Sequence, residues 1–216
     1  MTQDAADASK PVVTLWETYG AGMREIGQRV AERLKVPLHD PAATPEGDEP
    51  HEHEGALTRL LGAYQRYADV TADPAQTLAT LQAGDHERSV EVTALVKELA
   101  VGGGVILGLD AAVILAGRPN TLTVKLDGPV FERIRYAAVH EAVEEPTAAR
   151  RQRLEDAVRP QLSRAFHNYD PLDNDAFDLV LNTSLLSTEA VRELGLEPGS
   201  VAVAVVKATN VIVETP

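Results

Sequence analysis

The chain has 216 residues with 33 Asp+Glu against 20 Lys+Arg, a formal net charge of −13 that repels duplex DNA and anionic lipid, so neither nucleic acid nor membrane is expected as a partner. It contains no cysteine, which excludes disulfides, a thiol nucleophile and thiolate-held metal centres. Hydrophobic residues at 44% and charged residues at 25% are the composition of a chain that buries a core rather than of a disordered one.

In chain order, residues 1–10 are small and polar and are expected to form a disordered tail. Val12 to Leu15 reads as a buried strand, Tyr19-Gly20-Ala21-Gly22 as a tight turn, and Arg24 to Lys35 as a helix with Ile26, Val30 and Leu34 on one face. Val36-Pro37-Leu38 continues in extended form. Asp40 to Ala56, with Pro41, Pro45 and Pro50 and no Lys or Arg, reads as a linker. Helices are expected over Ala56 to Ala68 and Ser89 to Ala100, and Gly102-Gly103-Gly104 stops the second before a strand at Val105 to Leu107. The apolar stretch from Val105 to Ala116 contains Asp110 and is too short to cross a bilayer; with no signal-peptide pattern at the start, a cytoplasmic protein is expected.

Thr121 to Leu126 reads as the next strand, and Val130 to Glu145 and Thr147 to Phe166 as charged helices, the second kinked or split by Pro160. Asp178 to Leu181 is a further strand and Thr188 to Leu194 a short helix. Val201 to Val206 and Thr209 to Val213 are adjacent strands with no crossover helix, as in a hairpin or small barrel. Strands alternating with helices predict an α/β fold: a parallel sheet flanked by helices, plus a small C-terminal β segment.

The strand, Gly-x-Gly, helix arrangement at Tyr19 to Glu25 offers what a phosphate needs: converging backbone N–H groups, a positive helix end and glycines that permit close approach. The bland alternative is a mere strand-to-helix turn. The P-loop pattern places Lys after the last Gly and then Ser or Thr; here Met23 and Arg24 stand there. The run Val12-Val13-Thr14-Leu15-Trp16-Glu17-Thr18-Tyr19-Gly20-Ala21-Gly22-Met23-Arg24-Glu25-Ile26-Gly27 resembles the opening of the cytidylate-kinase-like family. So, in order, do Val36-Pro37-Leu38-His39-Asp40, Val105 to Asp110, Arg118 to Val124, Gly128 to Ile134 and Asp178 to Thr183.

The resemblance implies a P-loop nucleoside-monophosphate-kinase fold over residues 11–185, passing the γ-phosphoryl group of ATP, with Mg2+, to a nucleotide. It implies a nucleotide- and phosphate-binding set of Gly20, Ala21, Gly22, Met23, Arg24, Asp110 and Arg153. Arg24, Arg133 and Arg159 become the catalytic cations. Ala21, Met23 and Leu109 depart from the family's pattern, and with them the resemblance implies weak or lost kinase activity.

Leu186 to Ser200, with its Leu194-Gly195-Leu196 turn, and Val205-Val206-Lys207-Ala208-Thr209 resemble half of a molbindin (Mop/TOBE) module over 186–216. That resemblance implies molybdate or tungstate bound between subunits by Ser187, Lys207 and Thr209. Half a barrel leaves sheet edges open, so a homo-oligomer paired through these strands is expected. An oxyanion-binding or storage protein is thus the alternative to a phosphotransferase. His51-Glu52-His53-Glu54 reads as a solvated charge run rather than a metal site. Asp173, Asp175 and Asp178 read as turn formers, Trp16 as core edge, and Arg150, Arg151 and Arg153 either as a phosphate lid or as a solvated face.

Overall fold

The structure is a computed structural model that describes residues 10–40, 75 and 85–184. Apart from Lys10 and Asp40, the expected tail and linker, with the helix at 56–68, the His51–Glu54 run and everything expected beyond 185, lie outside the described residues.

Strands β1 (Val12–Glu17), β2 (Leu38–His39), β3 (Gly104–Leu107), β4 (Thr121–Asp127) and β5 (Leu179–Asn182) form one sheet in the order β2-β3-β1-β4-β5. Every pairing is parallel: Val12 lies beside Gly104 on one side and Thr121 on the other, and Val124 lies beside Leu179. Parallel neighbours require crossovers, and these are supplied by α1 (Met23–Leu34), α2 (Asp85–Gly102), α3 (Ala111–Ile114), α4 (Val130–His140) and α5 (Glu145–His167).

The period-two alternation of strand side chains sorts the core onto two faces. Val13, Leu15, Val105, Leu107, Val124 and Leu126 pack with Ala31, Ile26 and Val30 of α1. Val12 and Ile106 point the other way, onto Val96 and Ala100 of α2 and onto Ala111 and Leu115. Trp16 closes that second face against Ala112, Tyr169 and Phe177. Gly27 is what lets α1 lie flat on the sheet, since a Cβ there would come within 2.6 Å of Leu107 Cδ2.

The helices depart from the sequence expectation in several places: α2 opens at Asp85 rather than Ser89 and runs to Gly102, α3 was not expected, and two further differences concern α4 and α5. The helix expected to run to Glu145 ends at His140, because the chain turns through Ala142 at φ +52° while the Val143 N–H bonds the Ala138 carbonyl at 3.1 Å. In α5, Pro160 neither splits nor ends the helix, which runs unbroken from Glu145 to His167. Side chains feed the carbonyls around it: Gln161 Nε2 donates to the Ala157 carbonyl at 2.9 Å and Ser163 Oγ to that of Arg159 at 3.2 Å. The described architecture is the α/β fold, a parallel sheet flanked by helices, that the sequence predicts.

Candidate functional site

β1 is the central strand, and the chain leaving its carboxyl end turns through Thr18 to Gly22 directly into α1. Two residues of that turn are left-handed, Gly20 at φ +80° and Gly22 at φ +85°, a conformation costly for any residue with a Cβ. A Cβ on Gly20 would also stand 2.4 Å from the Arg133 carbonyl oxygen, so the turn lies directly on α4.

The turn is clamped from behind. Arg133 is 4% exposed; its guanidinium donates to the Tyr19 carbonyl at 2.7 Å, the Gly128 carbonyl at 2.9 Å and Asp156 Oδ2 at 2.9 Å. Asp156 in turn accepts the Tyr19 N–H at 2.9 Å on its other oxygen. Thr18 Oγ1 donates to Asp127 Oδ1 at 2.7 Å, tying the turn to the end of β4. Such a mesh holds the loop backbone in one shape before any ligand arrives.

In front of the turn opens a cleft of about 670 Å³, a size that takes a nucleotide. Gly20, Gly22, Met23 and Arg24 form one wall, Tyr136 and His140 of α4 a second, and Arg151, Glu155 and Arg159 of α5 a third, with Glu17 and Glu141 also facing it. Cations and carboxylates are interleaved: Arg24 pairs with Asp40 at 2.7 Å, Arg151 with Glu141 at 2.7 Å, and Arg159 with Glu155. The Tyr136 ring stacks on His140 with centroids 3.9 Å apart, and its hydroxyl donates to Glu25 Oε2 at 2.7 Å. Burial, together with the bonds to Glu141 and Glu25, pushes the Tyr19 and Tyr136 hydroxyls above the ordinary phenol range, so both remain protonated donors.

Glu17, the last residue of β1, accepts the Met23 N–H at 2.9 Å on Oε2. Burial raises its carboxyl above the usual carboxylate range; Arg159 and the N–H groups of Met23 and Gly22 pull it back in part, and Glu141 adds to the rise.

Of the residues singled out from sequence, Gly20, Gly22, Met23, Arg24 and Arg159 line this cleft. Ala21 is buried behind the turn in the sheet core. Arg133 stands behind the turn rather than in the cleft wall. Asp110 sits ahead of α3 at φ +52°, accepting Ser163 Oγ at 2.6 Å, with its carboxyl raised by burial; Arg153 is exposed. Neither belongs to the cleft lining. Trp16 lies in the aromatic core; Asp173 makes a local turn bond, accepting the Asp175 N–H at 3.0 Å, whereas Asp178 reaches across to β4 and accepts the Thr123 N–H at 2.8 Å. Ser187, Lys207 and Thr209 lie outside the described residues.

Sequence reasoning passed over Glu17, Tyr136, His140, Glu141 and Glu155. For Glu17 a signal was present: a charge ending an apolar strand immediately before a glycine turn.

Several known proteins are similar. The chain is 27% identical over 127 residues to a uronate isomerase of Corynebacterium glutamicum, a match covering 59% of this chain and 24% of that protein, so it spans about a quarter of that relative's length. An uncharacterized protein from Eubacterium ventriosum superposes with a TM-score of 0.56 at 16% identity, over 80% of this chain and 88% of its own. A shikimate kinase from Acinetobacter baumannii aligns at a TM-score of 0.42 and 16% identity, over 88% of this chain and 92% of its own. Residues 12–185, the stretch that carries the sheet, the turn and the cleft, match the family model as a whole, and the chain belongs to the cytidylate kinase-like family.

Proposed function

We propose that the chain binds the phosphates of ATP at the Gly20–Arg24 turn and acts as a phosphotransferase-like protein, with a nucleotide as acceptor in the adjoining cleft. The observation that carries this reading is the glycine turn: two left-handed glycines between β1 and α1, clamped from behind by Arg133, open onto a cleft that Arg151 and Arg159 wall. Charge developing on a phosphoryl group in transfer is stabilised by cations already in position. Arg24, Arg151 and Arg159 fill that role here, and their carboxylate partners orient each guanidinium until a phosphate replaces them. Arg133 acts through the loop, as a positioning residue.

Two features weaken transfer. Met23 brings no charge where the P-loop pattern has lysine. Arg24 brings donors where that pattern has a hydroxyl to ligate magnesium, and among the described residues no group of three or more carboxylates and histidines gathers for a metal. Among the described residues none therefore stands where a P-loop holds magnesium, and no step is assigned to the ion. Isothermal titration with ATP–magnesium, beside a transfer assay to CMP, tests the reading. The wild type should bind ATP and transfer slowly, and Gly22→Val, which meets Tyr136 and cannot adopt the turn, should lose binding while staying folded. ATP affinity unchanged in that variant would refute the site.

A further inference from the structure

The backbone N–H of Met23 opens α1 and points at the spot where a phosphate oxygen must sit if the turn is to bind one. That spot is already taken. Glu17 Oε2 stands 2.9 Å from the Met23 nitrogen, held by the strand that feeds the turn. One N–H cannot serve two anions, and a carboxylate and a phosphate within a few ångströms repel each other strongly in a partly dry cleft.

We propose that Glu17 is an internal stand-in for a phosphate oxygen, so that a ligand's phosphate enters the turn only by displacing it. The residue thereby sets how tightly the loop holds a phosphoryl group, and this rests on the phosphate-binding reading above. The ionised carboxylate is the competitor, so affinity falls as pH rises through the range in which Glu17 ionises. Burial places that range above the usual carboxylate one. Arg159 of α5, Glu141 and Tyr136 act on Glu17 directly, and the other charged and titratable groups lining the cleft with it are Arg151 and Glu155 of α5, Tyr19, Glu25, His140 and the Arg24–Asp40 pair. The ligand's own phosphate titrates in wild type and variant alike, so the difference between the two isolates Glu17.

The test is calorimetric titration of the full chain with ATP–magnesium and with inorganic pyrophosphate, between pH 6 and 8.5, for wild type, Glu17→Gln and Glu17→Ala. Circular dichroism confirms that each variant is folded. At the alkaline end, Glu17→Gln should bind both ligands at least about tenfold more tightly than wild type, a change of ~1.4 kcal/mol. The gap should narrow as pH falls, and Glu17→Ala, which clears the N–H altogether, should gain as much or more. Variants that bind no better than wild type at any pH overturn the proposal while leaving the phosphate-binding turn standing. Absence of binding by all three proteins overturns the turn's assignment and the proposal with it.

Discussion

Thr14 lies at the middle of the central strand, 1% exposed, and its hydroxyl has no hydrogen-bond partner among the described residues. A buried hydroxyl with nothing to bond has lost water without compensation, at a cost of about 1–3 kcal/mol. Thr14→Val keeps the branched shape and removes the orphan, so it should raise stability by about 1 kcal/mol and the thermal midpoint by roughly 2–4 °C. A lower midpoint by calorimetry would contradict this. At this scale the glycines were legible, because a turn between a strand and a helix demands their left-handed backbone. Glu17 was legible only as a charge ending an apolar strand: what it bonds depends on where its side chain reaches after β1 and α1 have formed, and no periodicity encodes that. Asp110 stands just after β3, and what its carboxyl meets, the Ser163 hydroxyl of α5, is equally outside what periodicity encodes.

Between elements, the contact that matters most for the site is the one Arg133 makes from α4 to the turn and to Asp156 of α5. Its removal leaves the Tyr19 and Gly128 carbonyls without their donor and Asp156 without its counter-charge. Breaking a buried pair of this kind costs about 3–5 kcal/mol. Arg133→Met, which keeps most of the volume, should lower stability in urea by about 3 kcal/mol and weaken ATP binding as the turn loosens. A loss below about 1 kcal/mol would mean that the clamp is not needed. Helix positions followed from apolar spacing and strand positions from branched runs such as Val105-Ile106-Leu107. Helix ends did not, since the stop at His140 rests on the unusual backbone of Ala142. Nor did the continuity of α5 through Pro160, where composition points to a break.

On the scale of the molecule, alternating strands and helices made a parallel sheet legible before its strand order was known. One edge of that sheet bears on assembly. Among the described residues β5 pairs only with β4, and the chain goes on beyond it into the valine-rich stretch at 201–213. We propose that this stretch joins copies of the chain, since exposed strands lower their cost by pairing. Light scattering should show an oligomer for the full chain and a smaller species after deletion of residues 198–216. Equal masses, or a monomeric full chain, would defeat the idea.

The position of β1 has a consequence for how the protein comes into being. It is the first of the described strands to leave the ribosome, yet it is flanked on both sides by strands made much later: Val12 must wait for Gly104 and Thr121. Until then a run of buried-type residues, Val12-Val13-Thr14-Leu15-Trp16, has no neighbour in register. Non-local pairing of this kind pays loop-closure entropy before any contact repays it, which makes parallel sheets slow to form and exposed to aggregation meanwhile. The nascent chain is therefore most vulnerable before β3 and β4 have been made, and synthesis through β4 marks the earliest moment at which that centre is safe.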